Sequence, residues 1–184
     1  MTEAEQMIAI IVAMLAIPIV ALCWKLLRRA LARAQSGPKK WAIIDGSNVM
    51  HWKDGEPQID TVRKVVELLI AKGFTPGVMF DANAGYLLIG KYQHDGALSR
   101  ALGLPQDHVI VVPKGTQADP AILTAARDFK GRVVSNDRFR DWAQDFPEIR
   151  QPGYLIHGGF RSGTLSLNFA SNKSSKPRTK RRNY

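Results

Sequence analysis

The sequence of 184 residues has almost no cysteine, since Cys23 is the only one. A single cysteine cannot close a disulfide within the chain, and it cannot supply the several thiolates of a cysteine-based zinc site. The histidines show no zinc spacing either; they stand at His51, His94, His108 and His157. These shortages exclude a disulfide scaffold and a zinc finger, and they agree with a protein of the reducing cytoplasm.

Acidic residues are missing from two segments that flank the middle of the chain. Residues 25–40 contain six basic groups, residues 171–184 contain six more, and neither segment contains an acid. Residues 41–170 hold 14 basic and 14 acidic residues, so the net charge of +10 belongs to the flanks. Basic flanks alone do not indicate nucleic acid, because basic residues also follow membrane spans. The tail at 171–184 has few apolar residues, which predicts disorder.

Charge is also absent from residues 7–24, which read MIAIIVAMLAIPIVALCW. A helix of this length nearly crosses a hydrocarbon layer of ~30 Å. A secretory signal peptide would start with positive charge, whereas here Glu3 and Glu5 precede the run and basic residues follow it. We therefore expect residues 1–6 outside, one transmembrane helix at 7–24, a basic juxtamembrane linker at 25–40 and the rest in the cytoplasm. A buried core helix or a cleaved presequence is the alternative.

Residues 41–170 alternate between apolar strands and amphipathic helices, without internal repeats. Strands are predicted at WAIID, FTPGVMF, HVIVV and RVVS, and a final hairpin at residues 154–157 and 164–168. One helix is predicted from Asp60 to Gly73, and another is expected to begin with Asp119 as its N-cap and Pro120 at its first position. Between them, helical turns should bury Leu87, Leu88, Leu98 and Leu102. This alternation predicts an α/β domain with a largely parallel sheet.

Three of these strands end on an acid: WAIID on Asp45, GVMFD on Asp81 and RVVSND on Asp137. The carboxyl ends of parallel strands lie at one edge of a sheet, where ligands bind. Asp119, ahead of the helix that leads to the fourth strand, can reach the same edge. Crowded carboxylates repel one another unless they share a proton or hold a hard cation such as Mg²⁺. The pattern predicts a metal site that can neutralise charge on a phosphodiester.

Each of these acids also has a local explanation. Asp119 and Asp137 stand where helix caps are common, and Asp81 stands at the start of a turn-like stretch. The Asp-Gly pair at 45–46 is a turn signal as well. The predicted site therefore depends on the convergence of the acids and not on any one of them.

Polar neighbours of the acids are candidates for supporting roles. Ser47 and Asn48 can bind a phosphate or a water after the first strand, or close a local turn. Asp141 lies one helical turn beyond the last of these acids and can support the site, or stand as an ordinary surface acid. Thr116 and Ser135 can orient the acids, although hydroxyls near helix starts are usually caps.

Three stretches of the sequence together resemble one known family: DGSNV at 45–49, KGTQADPAIL at 114–123 and VVSNDRFRDW at 133–142. In this order they are similar to the NYN group of PIN-like ribonucleases, and especially to the Regnase endoribonucleases. The resemblance extends over roughly residues 40–150. It implies a PIN-like α/β fold, a three-layer sandwich with a mainly parallel sheet, and metal-dependent cleavage of single-stranded RNA.

The resemblance also implies which residues form the site. Asp45, Asp119 and Asp137 would bind Mg²⁺ or Mn²⁺, and Asn48 and Asp141 would be supporting catalytic residues. The strand argument favours Asp81 more than the resemblance does.

The sequence departs from the family in two respects. Animal Regnase proteins carry a cysteine-rich zinc finger beside this domain, and one cysteine cannot form it. Some relatives have a second acid where Ala118 stands, so a catalytically silent module that recruits RNA or a protein to the membrane is an alternative. A phosphoryl-transfer hydrolase of another α/β family is a further alternative, although the haloacid-type pattern would want an aspartate in place of Ser47.

The sequence thus predicts an endoribonuclease anchored to the inner face of a membrane by one span. Basic residues are expected to hold the RNA backbone without reading its sequence; the candidates are Lys114, Arg138, Arg140, Lys180, Arg181 and Arg182. The six charges of the tail can instead bind anionic lipid, at ~1 kcal/mol each. The physiological RNA, the number of metal ions and the oligomeric state stay open.

Overall fold

A computed structural model describes residues 39–169. The chain divides into two units, Met1–Lys39 and Lys40–Tyr184, and the second holds the strands and helices given below. The predicted span at 7–24 and the basic tail at 171–184 lie outside the described residues. Within residues 39–169, no helix combines the length and the apolar character needed to cross a membrane.

Strands and helices alternate along the described unit. The strands are β1 (Lys40–Asp45), β2 (Phe74–Phe80), β3 (Val109–Val111), β4 (Arg132–Val134), β5 (Leu155–Arg161) and β6 (Thr164–Asn168). The helices are α1 (Gly46–Val49), α2 (Ile59–Ala71), α3 (Ala84–Ile89), α4 (Asp95–Leu102) and α5 (Ala118–Asp128). Short 3-10 turns lie at Gln106–His108, Arg140–Trp142 and Pro147–Arg150.

The six strands found within residues 39–169 form one sheet in the order β3-β2-β1-β4-β5-β6. The strands β1 to β5 run parallel to their neighbours, and β6 pairs antiparallel with β5. The predicted final hairpin is the β5–β6 pair. A mixed α/β fold with a mainly parallel sheet is therefore confirmed.

Helices cover both faces of this sheet. In β1, Ile44 packs into one hydrophobic cluster with residues of α2 such as Val66, whereas Ile43 packs into a second cluster with residues of α5 such as Ile122. Neighbouring side chains of a strand point to opposite faces, so the sheet is the middle layer of three. The unit has a core of its own, and a fragment of residues 39–184 is therefore suited to measurements of folding and activity.

Two local predictions are wrong. Helix α5 begins at Ala118 with Gln117 as its N-cap, so Asp119 lies inside the first turn. Its carboxylate accepts a hydrogen bond from the Trp142 side chain, a partner that the local pattern did not show. Leu87 is 47% exposed, because the short helix α3 turns another face, with Ala84, toward the core.

Candidate active site

Polar side chains follow three adjacent strands at the carboxyl edge of the sheet. Asp45 is the last residue of β1, Asp81 follows β2 and Ser135 follows β4. Strand β1 lies between β2 and β4. Side chains two residues apart in a strand point to the same face of the sheet. Each of the three polar residues stands two positions after a residue that packs on the α5 side, namely Ile43, Met79 and Val133. The fold therefore brings the three polar residues to one edge, on the face that α5 covers.

A cleft of about 560 Å³ opens at this edge, and we call it the acidic cleft. Its lining residues are Asp81, Gln117, Ala118, Asp119, Asp141 and Trp142. Asp119 reaches the cleft from the first turn of α5. Ile122 and Leu123 of the same helix are fully buried under the sheet, which fixes the start of α5 beside the strand ends.

Asp45 is the buried acid of the site, with 6% of its surface exposed. Its Oδ1 accepts the backbone N–H of Asn48 at 3.0 Å, and its Oδ2 accepts the hydroxyl of Ser135 at 2.9 Å. Burial raises the pKa of Asp45 from its ordinary 3.8 to about 6; the two hydrogen bonds oppose this rise, and the charges of Asp119 and Asp81 add to it. Asp45 is held rigidly, and its negative charge calls for a proton or a cation.

The pKa of Asp119 is also raised, first by burial and then by the charge of Asp137. The hydrogen bond from Trp142 opposes this rise, while the charges of Asp81 and Asp141 add to it. The repulsions at Asp45 and at Asp119 together involve five aspartates from four separate segments of the chain: Asp45, Asp81, Asp119, Asp137 and Asp141.

Asp137 has a structural contact as well as a place at the site. Its backbone N–H donates to Ser135 Oγ at 3.0 Å, and its Oδ1 accepts the backbone N–H of Phe139 at 2.7 Å. Phe139 is buried and has a φ of +49°, which side-chain-bearing residues rarely adopt. Asp137 thus closes this turn, although the N-cap of the short helix that follows is Phe139 and not Asp137. Its charge raises the pKa of Asp119. Through its hydroxyl, Ser135 connects Asp45 to this turn.

Asn48 joins two turns of the site. Its Oδ1 accepts the Nε1–H of Trp52 at 2.8 Å and the backbone N–H of Asn136 at 3.0 Å. The side chain of Asn136 in turn exchanges two hydrogen bonds with the backbone of Gly158 in β5. These contacts tie the turn after β1 to the turn after β4, so Asn48 is a positioning residue in this structure.

Gly46 and Ser47, which precede Asn48 in the turn after β1, bring β2 into the site. Ser47 Oγ accepts the backbone N–H of Asp81 at 2.8 Å, which fixes where the acid after β2 stands. A Cβ atom on Gly46 would lie 2.5 Å from the ring of Phe80, which is fully buried. Glycine therefore lets α1 approach the end of β2 closely enough for the Ser47 contact.

Other predicted residues stand outside this network. Thr116 is exposed, and within the described residues its backbone N–H donates to Pro113 while its hydroxyl has no contact with the acids. Lys114, Arg138 and Arg140 are exposed in the segments that flank the acids. The remaining basic candidates, Lys180, Arg181 and Arg182, lie outside the described residues.

Residues 38–154 match a family described as the Zc3h12a-like Ribonuclease NYN domain. The matched range exceeds half of the 184 residues and contains all five aspartates. The chain belongs to this family. The resemblance of the three motifs is thereby confirmed, and the assignment supports a ribonuclease.

Two solved structures share the fold of this NYN domain. Both are of nuclear protein-only RNase P 2 (PRORP2) from Arabidopsis thaliana, with 20% and 19% identity and TM-scores of 0.53 and 0.54. They cover 92% and 90% of this chain but 37% and 36% of the plant protein, so this chain spans little more than a third of its length. At this identity they show the fold alone. No curated protein matches the chain.

The acids of the NYN domain fit a divalent cation by their chemistry, since they offer carboxylate oxygens in a site where their charges repel. Within residues 39–169, however, no three acidic, histidine or cysteine side chains stand close enough to hold one ion directly. Asp45, Asp119 and Asp137 therefore do not form a ready set of three ligands, because Asp45 and Asp137 direct oxygens to their own neighbours. The arrangement suits Mg²⁺, which keeps several waters and binds one or two carboxylates together with substrate phosphates.

Two residues of the acidic cleft were missed from the sequence. Trp142 donates to Asp119, and Gln117 is the N-cap of the helix that carries this acid. The available signal was the Asp-Trp pair at 141–142, where a tryptophan directly follows a candidate acid.

Proposed function

We propose that this NYN domain is an endoribonuclease that cleaves single-stranded RNA with Mg²⁺ or Mn²⁺. The observation that carries the proposal is the convergence of five aspartates on one edge of the sheet, with the pKa of buried Asp45 raised to about 6. Strongly perturbed acids in a cleft are typical of functional sites. Membership of a ribonuclease family supports RNA as the substrate.

The acids that would hold the ion, in part through its bound waters, are Asp45, Asp119 and Asp137, with Asp81 and Asp141 in support. When bound, the ion supplies Lewis-acid stabilisation of charge on the phosphodiester and activates water. Ser135 and Trp142 keep two of these carboxylates in place through their hydrogen bonds.

Exposed basic residues complete the proposed site. Lys114, Arg138 and Arg140 stand in segments beside the acids and would attract the phosphates of the RNA backbone. The basic tail at 171–184 would add affinity that does not depend on RNA sequence. These contacts bring a negatively charged polymer to a negatively charged cleft, which the acids alone would repel.

The test is cleavage of a circular, unstructured RNA by the fragment of residues 39–184. A circle has no ends, so a linear product demonstrates endonucleolytic cleavage. We expect linear product with Mg²⁺ or Mn²⁺, none in EDTA, and recovery when the ion is added in excess. Cleavage that continues unchanged in EDTA would contradict metal dependence. RNA binding without cleavage would favour the silent module, the alternative that Ala118 suggests.

We further propose that residues 7–24 anchor the domain to a membrane, with the N-terminus outside and the NYN domain in the cytoplasm. The support is the sequence alone: eighteen uncharged residues followed by a basic segment. Alkaline extraction of cell membranes tests this, because an anchored chain stays with the lipid. Release of the full chain by this treatment would contradict the anchor.

A further inference from the structure

A second cleft, of about 480 Å³, lies next to the acidic cleft, and we call it the aromatic cleft. Its lining residues are Ala82, Asn83, Tyr86, Tyr92, Val112, Pro113 and Lys114. Two segments pass from one cleft to the other: Asp81 is followed by Ala82, and Lys114 leads within three residues to Gln117. Both clefts therefore lie at the carboxyl ends of β2 and β3. The volume is within the range of about 300–1,000 Å³ that small-molecule sites occupy.

Two tyrosine rings of this cleft are largely exposed. Tyr86 is 57% exposed on α3, and Tyr92 is 54% exposed in the loop that precedes α4. Single exposed apolar side chains are ordinary. Two aromatic rings that line one cleft beside a lysine, however, form the combination with which proteins hold single-stranded nucleic acid: stacking surfaces for bases and positive charge for the backbone.

Close packing fixes the backbone on both sides of this cleft. A Cβ atom on Gly85 would lie 2.4 Å from the backbone nitrogen of Gln93 and 2.7 Å from the backbone oxygen of Lys91. The loop that carries Tyr92 therefore rests directly on α3, next to Tyr86. The backbone that carries the two tyrosines is therefore fixed in advance of any ligand, which reduces the entropy lost on binding.

We propose that the aromatic cleft binds a base of single-stranded RNA, stacked on Tyr86 and Tyr92, while Lys114 contacts an adjoining phosphate. The neighbouring phosphodiester is then presented to the acidic cleft. Stacking accepts every base, so this subsite confers little sequence preference. It does confer a preference for single strands, because a paired base is not free to leave its stack and pack on a ring. The inference rests on the ribonuclease function proposed above.

The experiment uses the full chain with Asp119→Asn, so that the RNA stays intact while binding is measured. Fluorescence anisotropy gives the Kd for a short, labelled, unstructured RNA. Adding Tyr86→Ala or Tyr92→Ala is expected to weaken binding about tenfold each, as the loss of one stacked base predicts. Phenylalanine at either position keeps the ring and should restore most of the affinity. Leu87→Ala is the matched control, since Leu87 is 47% exposed on the same helix and lines neither cleft.

Two comparisons separate stacking from electrostatic attraction by the basic tail. Measured at low and high salt, the effect of the tyrosine substitutions should persist, whereas the effect of Lys114→Ala should shrink as salt rises. With a duplex RNA of the same sequence, the tyrosine substitutions should leave the Kd unchanged, because its bases are already stacked. An equal loss of affinity for single and double strands would overturn base stacking.

The outcomes also separate this inference from the proposed function. If the parent chain cleaves RNA but the tyrosine-to-alanine variants bind single strands as tightly as Leu87→Ala does, the aromatic cleft is not a base site and the ribonuclease stands. If the parent chain neither binds nor cleaves RNA, both proposals fail. If the tyrosine substitutions change self-association and leave RNA affinity intact, the cleft is a protein-binding surface and the inference is overturned.

Discussion

Replacing Asp119 with asparagine is expected to slow cleavage of single-stranded RNA by about a thousandfold, the loss that corresponds to several kcal/mol of charge stabilisation. Asparagine has nearly the same size, and its side-chain oxygen can still accept the hydrogen bond from Trp142. What the variant loses is the charge in the acidic cleft that would hold a divalent ion. The rate is measured under single-turnover conditions with saturating Mg²⁺.

Asp128→Asn is the matched control for this substitution. Asp128 is an exposed aspartate at the other end of the same helix, α5. Asp119→Asn should unfold no more easily than the parent, since the burial and the repulsion that raise the pKa of Asp119 no longer act on a charge. Asp128→Asn should not either, since it changes only an exposed side chain. An Asp119→Asn variant that keeps most of the parental rate would remove Asp119 from the proposed site.

The Asp45→Asn variant should be more stable than the parent at pH 8 in EDTA, by about 2 kcal/mol. The pKa of Asp45 is raised from 3.8 to about 6, and a rise of about 2 units corresponds to about 3 kcal/mol. Loss of one of the two hydrogen bonds to the carboxylate offsets about 1 kcal/mol of this gain. The same substitution should abolish RNA cleavage, so stability and activity change in opposite directions.

The pH dependence of the parent follows from the same shift. A raised pKa means that the folded chain holds the proton of Asp45 more tightly than the unfolded chain does. The stabilisation of the folded state by this proton is fully present below pH 3.8 and is lost as the pH rises through about 6. The raised pKa of Asp119 acts in the same direction. In Asp45→Asn, this fall in stability should be smaller, and the advantage of the variant should vanish in acid.

Guanidinium unfolding of the fragment of residues 39–184, repeated from pH 4 to pH 8, measures both effects. Asp107→Asn is the control, because Asp107 is exposed and lies apart from the acidic cleft. Addition of Mg²⁺ at pH 8 should stabilise the parent, as any ligand of the folded state does, and should stabilise Asp45→Asn less. If Asp45→Asn is less stable than the parent at pH 8, the buried charge of Asp45 does not destabilise the folded chain, and the explanation of its raised pKa is wrong.

The order of strands and helices was readable from the sequence because it depends on local patterns. Strand β2 has the predicted bounds, Phe74–Phe80, since an apolar run between Gly73 and Asp81 has no competing interpretation. Asp45 was predicted at the end of β1 for the same reason. Leu87 was misjudged because an apolar residue in a short helix does not reveal which side of that helix meets the core.

The contacts that hold the site were not readable, because they depend on which strands become neighbours. Ser47 and Asn48 were predicted either to bind a phosphate or a water or to close a local turn. Instead, Ser47 bonds to Asp81, 34 residues away, and Asn48 bonds to Asn136, 88 residues away. Ser135 was a candidate for orienting the acids, but the sequence did not show that its partner is Asp45, 90 residues away. These residues, far apart in the sequence, meet because β1 lies between β2 and β4 in the sheet. A short sequence motif does not reveal this strand order.

A calorimetric titration of the fragment of residues 39–184 with Mn²⁺ at pH 8 is the most direct test that these distant carboxylates act as one site for a divalent ion. We expect saturable binding to the parent, equal binding to Asp128→Asn, and much weaker binding to Asp119→Asn. No binding to the parent, or the same affinity for all three proteins, would contradict it.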